Sequence, residues 1–560
     1  MFYTLILAFL IAFVTGGTVN LMDRTVLYIT GGVLALLTAR RWLKSSPNLS
    51  LLSVSAVLFC IWGLVEYYSA PVSKPPRSDL MLLIFYTITG FATLQLTLKE
   101  RTRFLYCLVA VILLNAGLIV GEEILQTTLT ITSRGLIPSQ TPGRYAGVLL
   151  NPNAAGVLSV VGLVFLIRWA ITVTASKKQL ILQALTLFLL LESVLATQSR
   201  SALALGVLIG ILMPIILWWR SKNKQALIFA VLSACFLCLA FPCHHTLMAR
   251  VRDVTKTTIT EPTQINTGEN QRLAIWKASL QLWEKNPIMG IHPGLLNDRW
   301  FEVQPRTIQL LPEKSHSFLI TAACEYGVVG LALVLGTLVL WGRQLRKSQL
   351  TPSQKAAAIS VVVLLLSELL DYSFYSPMQG MLFVCLAFFS LPIKELYSHE
   401  RRCIIASYGV LVLFFLAQLP GVCSVAYYIT GADKLPLEAR IMRVKAATVS
   451  VPDNADLHLM LADLYAQEGK GADSIREQAK VMQLNPYKLD RLSIATALIH
   501  TDPTTSSNIL QSVLQQAPNY FRTWEAAENY YNEAGDLQKA NWCHTNAIVL
   551  KVYFSGGFKH

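Results

Sequence analysis

Residues 314–330 read KSHSFLITAACEYGVVG, and this stretch marks the point where a long polar segment gives way to apolar sequence. The polar segment includes Arg272 and lies between two long apolar blocks. Arginine and histidine are costly to place at the rim of a membrane domain, so residues of these types are often kept there for chemistry. We therefore predict that the functional site lies between Arg272 and Gly330.

The composition indicates a membrane protein. Hydrophobic residues make up 53% of the chain and charged residues only 14%, a balance that soluble domains do not have. The net charge of +14 would suit nucleic acid, but the lysines and arginines lie mainly in short loops between apolar runs. In that position they fix membrane topology, so no nucleic-acid partner is expected. The ten cysteines are scattered, mostly in apolar runs, which favours small apolar residues over a metal or disulfide site.

Apolar runs predict about thirteen membrane-spanning helices, at about 20 residues for each crossing. The first run, Phe2–Val14, could be mistaken for a signal peptide, but no small-residue cleavage site follows it, which favours a retained helix. Residues 1–430 are thus predicted to form an all-α, polytopic membrane helix bundle. The other runs are 26–39, 51–68, 80–98, 104–121, 146–173, 179–197, 201–219, 225–242, 317–342, 356–370, 377–393 and 403–428.

The distribution of lysine and arginine predicts the orientation of this bundle. With a cytoplasmic N-terminus every inner loop is basic, whereas the short outer loops hold isolated cations, as the positive-inside rule requires. Arg144, Arg200, Arg272 and His316 then all face the extracytoplasmic side, as do the large loop at 243–316 and the C-terminus. The basic inner loops are 40–44, 99–103, 177–178, 220–224, 343–347 and 394–402.

Residues 435–560 have the pattern of a soluble, amphipathic helical region. Prolines 452, 486 and 518 recur at nearly the tetratricopeptide period of about 34 residues, and Leu461, Tyr465 and Gly469 take the packing and turn positions of the first unit. We predict a tetratricopeptide-like helical domain, with a plain helical bundle as the alternative. Its concave surface would dock a protein partner or a glycan acceptor, unless the domain is only a stabilising cap.

Two further segments place polar residues at the membrane rim. Asn151-Pro152-Asn153 falls within an apolar run, where it would break a helix, and broken helices at this depth usually line a cavity. Arg144 precedes this turn and either pairs with a phosphate or anchors at headgroups. Arg200 occupies a short outer turn between two spans and would need an anionic partner at that depth.

The polar loop contains a predicted amphipathic helix around Arg272. Leu273, Trp276, Leu280 and Trp283 fall on one face of it. This face would lie in lipid or against the bundle and would hold Arg272 near the headgroups. Packing alone is the alternative role for such a helix.

The strongest local pattern is His316-Ser317, nine residues, Gly327, two residues and Gly330. With this pattern the sequence resembles the O-antigen ligase and polymerase superfamily of bacterial membrane glycosyltransferases. Its ligases carry a His-(Asn/Ser/Gln)-x9-Gly-x-x-Gly signature at the end of the large periplasmic loop. The resemblance covers roughly residues 80–395 and leaves the tetratricopeptide-like region outside the shared core.

The resemblance implies transfer of a glycan from an undecaprenyl-diphosphate carrier to an acceptor hydroxyl, without cofactor or metal. The reaction takes place at the outer face of the bacterial cytoplasmic membrane, in cell-surface polysaccharide biosynthesis. Arg200 and Arg272 are expected to neutralise the departing diphosphate, since guanidinium groups bind phosphate oxygens in paired geometry. His316 matches the residue proposed to take the acceptor proton, and histidine, with an ordinary pKa of about 6.5, suits a general base.

We further expect Arg144, Asn153 and Ser317 to bind substrate. The expected partners are the polyprenyl-diphosphate-linked glycan, membrane lipids, and an acceptor that is lipid A-core, a growing polysaccharide or a protein. Polysaccharide polymerase and protein O-oligosaccharyltransferase are therefore open alternatives. A transporter or flippase would share the many spans and arginines, but it should show an internal repeat of its spans, which we do not find. A non-catalytic scaffold would leave His316 unexplained.

Overall fold

A computed structural model describes residues 1–15, 21–44, 51–70, 72, 77–126, 129–132, 135–138, 144–149, 151–173, 176–257, 268–306, 312, 314–371, 373–391, 398–488, 495–496, 498–500 and 502–555. The chain forms two compact units. The first unit comprises Met1–Leu58, Leu82–Glu261 and Gly336–Leu416. The second comprises Phe59–Met81, Pro262–Leu335 and Ala417–His560.

The described chain is almost entirely helical, which confirms the predicted all-α class. Strands β1 (Leu129–Thr132) and β2 (Gly135–Pro138) form a short antiparallel hairpin. The first eleven labelled helices, of which the last lies in the large loop, are α1 (Phe2–Val14), α2 (Leu21–Lys44), α3 (Leu51–Ser69), α4 (Arg77–Leu94), α5 (Leu98–Ile124), α6 (Pro152–Thr172), α7 (Lys177–Ala196), α8 (Arg200–Val207), α9 (Met213–Ser221), α10 (Lys224–Ala240) and α11 (His245–Thr257). A π-helical turn, Leu208–Leu212, joins α8 to α9.

The remaining helices continue through the second half of the chain into the C-terminal helical region. They are α12 (Gly268–Lys285), α13 (Leu296–Arg299), α14 (Phe318–Arg346), α15 (Pro352–Glu368), α16 (Pro377–Ser390), α17 (Ser398–Ile429), α18 (Leu437–Ser450), α19 (Ala455–Gln467), α20 (Gly471–Leu484), α21 (Pro503–Gln516), α22 (Phe521–Glu533) and α23 (Leu537–Ser555). Single 3-10 turns lie at Phe241–Cys243, Trp300–Glu302, Ser373–Tyr375 and Ala432–Lys434.

Eight helices in the described part of the chain are long and apolar enough to cross a membrane. They coincide with eight of the thirteen predicted spans, and three shorter apolar helices, Phe2–Val14, Asp79–Leu94 and Pro377–Ser390, coincide with three more. Of the remaining two, 26–39 falls within α2 and 356–370 overlaps α15, and these two helices do not meet the same standard. The chain is therefore a multi-pass membrane protein, while the number of crossings stays a prediction.

Capping boxes begin three helices next to basic loops. Thr97 opens α5, Ser176 opens α7 and Thr351 opens α15, and each hydroxyl accepts from the N–H three residues on. The glutamate or glutamine at that third position accepts from the backbone N–H of the cap, so two otherwise unpaired donors are satisfied. These helices therefore start sharply beside Lys99, Lys177 and the loop at 343–347.

Helix α6 is the centre of the first unit. Every residue from Ala154 to Val164 is buried, and a helix that is apolar all round belongs inside a bundle. It packs against α5, α7, α8 and α15. At Gly162 an added Cβ would lie 2.8 Å from Ile112 and 2.9 Å from Leu190, so glycine lets α6 approach both neighbours. The polar residues at the N-terminal end of α6 are thus held on a rigid element.

The C-terminal region consists of helical hairpins. Gly469 (φ +80°) joins α19 to α20 and Gly535 (φ +79°) joins α22 to α23. Leu461 is buried, and Tyr465 packs against its cluster, in agreement with the pattern of the first predicted repeat. The tetratricopeptide identity of these hairpins, and the domain boundary at 430–435, stay predictions.

Within the second unit these hairpins pack on the segment that follows α12. Phe301 is buried among tail residues and contacts Tyr520 with ring centroids 5.2 Å apart. Asp298 Oδ2 accepts from Asn485 Nδ2 at 2.6 Å, and Lys488 Nζ lies 3.3 Å from Asp298 Oδ1. The tail therefore holds part of the large loop by both apolar and polar contacts.

Candidate functional site

Arg144 and Asn153 lie together in the first unit. Arg144 Nε donates to the carbonyl of Thr197 at 3.1 Å, and its Nη2 donates to Asn153 Oδ1 at 2.7 Å. Asn153 Nδ2 donates in turn to Asp371 Oδ2 at 3.2 Å. The amide of Asn153 therefore holds Arg144 through its oxygen and a buried carboxylate through its nitrogen. Asp371 is only 4% exposed and was not among the predicted site residues.

The sequence Asn151-Pro152-Asn153 begins α6 rather than interrupting it. The Asn151 side chain accepts from the N–H groups of Asn153 and Ala154 at 2.9 and 3.4 Å. Pro152 takes the first helical position, where its missing N–H removes no hydrogen bond. The predicted span at 146–173 therefore starts at Pro152, because the described residues before it, 144–149, are not helical.

Backbone donors fix the segment that carries Arg144. The N–H groups of Ala146 and Gly147 donate to Glu122 Oε2 at 3.3 and 3.1 Å. The N–H of Val148 donates to Asn115 Oδ1 at 3.0 Å. Gly147 has φ +63°, and a Cβ there would lie 2.6 Å from that amide oxygen, so glycine is required. Polar side chains of α5 thus fix the backbone of the segment that follows Arg144.

Arg200 lies at the first position of α8, in the turn that also receives Arg144. Ser199 caps the helix by accepting from the Ala202 N–H at 3.3 Å. Arg200 Nη1 donates to the carbonyl of Arg250 at 3.3 Å, and Arg250 Nη1 donates to the carbonyl of Gln198 at 2.8 Å. Two guanidinium groups, of Arg144 and Arg250, therefore donate to carbonyls of the turn at 197–200, and Arg200 begins α8 there, where the helix N-terminus favours anions. We call the turn at 197–200, together with Arg144 and Arg250, the arginine turn.

Helix α12 carries Arg272 in the second unit. Its packed side consists of Ile275, Ala278 and Leu282, which are buried with Trp300. The predicted face is therefore not the one that packs on Trp300, and Leu273 on it is 60% exposed. Its predicted position in lipid stays a prediction. Helical spacing identified one apolar face of α12, but the face of Ile275, Ala278 and Leu282 has similar spacing and is more completely buried.

Arg272 itself is half-buried. Its guanidinium makes no hydrogen bond or ion pair with any described residue. A half-buried cation without a protein partner leaves five directional donors for a ligand, and a planar guanidinium fits two phosphate oxygens at once.

His316 precedes α14 in an unusual backbone conformation. Its φ is +55°, a left-handed value that costs an ordinary residue about 1–2 kcal/mol. Ser315 Oγ donates to the carbonyl of Ser317 at 2.9 Å and lies 2.6 Å from Thr321 Oγ1. Ser315 and Ser317 are buried, whereas the imidazole of His316 is half-buried. The fold therefore turns this one side chain away from its two neighbours.

The glycines of the signature have a steric explanation. Helix α14 is kinked at Gly327, where φ is +65° and a Cβ would lie 1.9 Å from the carbonyl oxygen of Ile288. Ile291 N donates to the carbonyl of Cys324 at 2.8 Å, so the segment after α12 crosses α14 backbone against backbone. Gly330, one turn on, also has no room for a Cβ. The signature thus ties the helix that carries Arg272 to the helix that follows His316.

Lys314 is buried two residues before His316. Its Nζ lies 2.7 Å from Asp79 Oδ2 and 2.9 Å from Glu325 Oε1. Burial alone would lower the pKa of Lys314, but the two carboxylates raise it above its ordinary value. The ammonium group therefore stays charged, and sequence reasoning did not identify this set.

A second histidine in the same unit is paired with a carboxylate. His292 Nδ1 lies 2.6 Å from Glu66 Oε2, and both residues are buried. His292 also has a left-handed φ of +70°. The two positions are far apart in the sequence, so no local pattern could have joined them.

One group of described residues has the composition of a metal site. Glu123, Glu192 and His244 bring their ligand atoms within 4.8 Å of one another. His244 Nδ1 lies 3.3 Å from Glu123 Oε1 and its Nε2 lies 3.0 Å from Glu192 Oε1. Because each ring nitrogen faces its own carboxylate, the geometry is that of an imidazolium between two carboxylates. The expectation of a metal-free reaction stays a prediction.

The structure thus gathers the predicted residues into two sets. The first unit joins Arg144, Asn153 and Arg200 around one turn. The second unit contains Arg272, His316 and Ser317 on α12 and at the start of α14. Their catalytic and binding roles stay predictions.

Residues 185–335 match the family model described as O-antigen ligase. This range contains the predicted catalytic residues Arg200, Arg272 and His316, as well as Gly327 and Gly330. No curated protein matches the sequence. The matched region supports a membrane glycan-transfer function of the ligase type. Over residues 185–335, this chain is therefore similar to the O-antigen ligase family.

Proposed function

We propose that this protein transfers a glycan from an undecaprenyl-diphosphate carrier to an acceptor hydroxyl at the outer face of the bacterial cytoplasmic membrane. The observation that carries the proposal is Arg272, a half-buried guanidinium without a partner among the described residues. It lies within the region that matches the O-antigen ligase family. A cation kept in this state suits an anionic ligand such as a diphosphate.

The reaction is a displacement at the anomeric carbon of the carrier-linked sugar. The acceptor oxygen forms a bond to that carbon, and the bond from the carbon to the phosphate oxygen breaks. The electron pair of the broken bond leaves with the polyprenyl diphosphate, and the hydroxyl proton passes to His316. A general base in this position typically accelerates such a step about 10²–10⁴-fold.

Arg272 and Arg200 are proposed to bind the diphosphate as its negative charge grows. Their donors are directional and always charged, so bonds that strengthen as the negative charge grows stabilise the leaving group more than the bound substrate. Arg144, Asn153 and Ser317 are proposed to bind the substrate. For Arg144 the support is its fixed position in the arginine turn, 2.7 Å from Asn153 Oδ1.

The proposed reaction needs no metal ion, because guanidinium groups carry the positive charge that Mg²⁺ supplies in other phosphate chemistry. A test is available because three described residues could hold a metal ion: Glu123, Glu192 and His244. Transfer is expected to persist in a chelator and in the Glu123→Gln variant. Loss of activity on chelation, with recovery on adding a divalent cation, would contradict the metal-free mechanism.

The site and the C-terminal region are proposed to lie outside the cytoplasm. Lys539 is suitable for testing this because its side chain is 60% exposed. A Lys539→Cys variant should react with a membrane-impermeant maleimide in intact spheroplasts, above the level of the unsubstituted chain. Reaction only after lysis would place the tail in the cytoplasm. We also propose that the helical hairpins dock the acceptor or a protein partner.

Glycan pools in cells that lack this protein test the function itself. Carrier-linked glycan should accumulate on the outer leaflet, and one acceptor pool, lipid A-core, polymer or glycoprotein, should lose its glycan. Wild-type chain should restore that pool, and His316→Ala should not. Accumulation on the inner leaflet would instead indicate a flippase, and unchanged pools would contradict glycan transfer.

A further inference from the structure

The segment that carries His316 is fastened by an ion-pair set within the second unit. Lys314 Nζ is bonded to Asp79 Oδ2 at 2.7 Å and to both oxygens of Glu325 at 2.9 and 3.1 Å. Lys314 is 7% exposed, and Glu325 is 0% exposed. Breaking a buried pair by removing one partner is costly because the other charge is then left uncompensated. The backbone at residue 314 is thus held between α4 and α14.

A hydroxyl pair fastens the segment on the other side of His316. Ser315 Oγ bonds both the carbonyl of Ser317 and Thr321 Oγ1, and the Thr321 N–H donates to the same carbonyl at 2.8 Å. These bonds close the turn onto the first turn of α14. Both neighbours of His316 are therefore buried and bonded.

The conformation of His316 is what these contacts impose. A left-handed φ in a residue other than glycine persists when the surrounding structure over-determines it. Here the ion pairs fix the chain two residues before the histidine, and the hydroxyl bonds fix it one residue before and one residue after. The imidazole of His316 is half-buried, whereas the side chains of Ser315 and Ser317 are buried.

We propose that Lys314 is a positioning residue, whose ion pairs with Asp79 and Glu325 hold residues 314–317 so that the imidazole of His316 meets the acceptor hydroxyl. This inference rests on the proposed function, because it takes His316 as the general base. Lys314 itself touches no reacting atom in this account. Its contribution is to keep the base in a conformation that the backbone would otherwise leave.

Lys314→Met tests the proposal, with Lys285→Met as the matched control. Lys285 is in the same loop, paired to Glu302 at 3.1 Å, and its side chain is 46% exposed. In Lys314→Met the backbone amides of 314–318 should exchange hydrogen faster, while those of α6 stay protected. The kcat should fall about 10–100-fold, the loss expected for a misplaced group, with the KM for the carrier-linked glycan unchanged. The control should change neither quantity.

Free imidazole separates positioning from other roles. In His316→Gly the left-handed conformation is natural for the residue, and added imidazole should restore part of the activity. Adding Lys314→Met to this variant should cost less than twofold, because the base no longer depends on the backbone. A loss as large as in the wild-type background would overturn the proposal, as would unchanged exchange at 314–318.

Failure of the proposed function and failure of the positioning role give different results. Full activity in His316→Ala would remove the general base and sink the positioning role with it, whatever the exchange shows. If Lys314→Met also loses protection in α6, Asp79→Asn gives the result, since it removes one ion pair and keeps the one to Glu325. Faster exchange at 314–318 with a lower kcat in Asp79→Asn supports the proposal, and wild-type values of both contradict it.

Discussion

The arginine turn and the Arg272 helix hold their cations in opposite ways. Arg144 and Arg250 donate to backbone carbonyls of the turn at 197–200, so their orientation is set before any ligand binds. Arg272 has no such bond to the described residues. A cation whose orientation is fixed before binding loses less conformational entropy when the ligand binds. An unpaired cation instead gains hydrogen bonds that only the ligand provides. Substitutions should therefore affect the second unit more strongly than the first.

His316→Ala should have the largest effect. Transfer is expected to fall about 10²–10⁴-fold because the acceptor hydroxyl loses its general base, while the protein level and membrane insertion stay normal. His544→Ala is the matched control, since this exposed histidine pairs with Glu528 in the tail. Initial rates with a purified carrier-linked glycan measure both. A His316→Ala rate within twofold of wild type would remove His316 from the mechanism.

Arg272→Lys and Arg272→Ala should lose similar amounts, about 10²-fold, because lysine keeps the charge but not the paired donors. The same near-equality is expected for Arg200. If either arginine only anchored the bundle at headgroups, lysine would serve, since a point charge is enough there. Arg476→Lys, on an exposed side chain, should have no effect. Wild-type rates from both lysine variants would contradict diphosphate binding.

Arg250→Ala should have a smaller effect, about tenfold, which sharpens the comparison. Its guanidinium donates to the carbonyl of Gln198, and the alanine variant loses this bond, which contributes about 1.5–3 kcal/mol because the donor is charged. The backbone carbonyl that accepts from Arg200 is kept. The loss should appear mainly as a higher KM for the carrier-linked glycan. A fall in kcat alone, equal to that of Arg272→Ala, would erase the distinction between the two regions.

Asn485→Ala should have the smallest effect on activity. It removes the bond from Asn485 Nδ2 to Asp298 Oδ2, and a hydrogen bond to a charged group contributes about 1.5–3 kcal/mol. The thermal midpoint of unfolding of the purified protein should fall, while the initial rate below that temperature stays within twofold. A large loss of rate at unchanged stability would mean that the tail takes part in the reaction.

The sequence predicted the helices and much of the site because both have local signals. Hydrophobic runs located the eight span-length helices, and the His316 to Gly330 spacing located the segment that the structure explains by backbone crossing at Gly327. The expectation that Asn-Pro-Asn breaks a helix was wrong, because Asn151 caps α6 and Pro152 takes its first position.

The partners of these residues were beyond the sequence because they are distant in the chain. Asp371 meets Asn153, Asp79 meets Lys314, and the carbonyl of Gln198 accepts from Arg250. Periodicity assigns a residue to a face of its own helix and carries no information on the helix opposite. The same limit explains α12, where Leu273 was grouped with the stripe that the fold leaves exposed.

Turnover of a purified undecaprenyl-diphosphate glycan, in the presence of chelator and a defined acceptor, tests the central claim most directly. The account predicts one polyprenyl diphosphate released for each glycan joined to the acceptor, at the rate seen without chelator. It also predicts loss of about 10²-fold in Arg272→Lys with Arg476→Lys unaffected. No release by the wild-type protein with any of the three acceptor classes, or equal rates in wild type and Arg272→Lys, would contradict it.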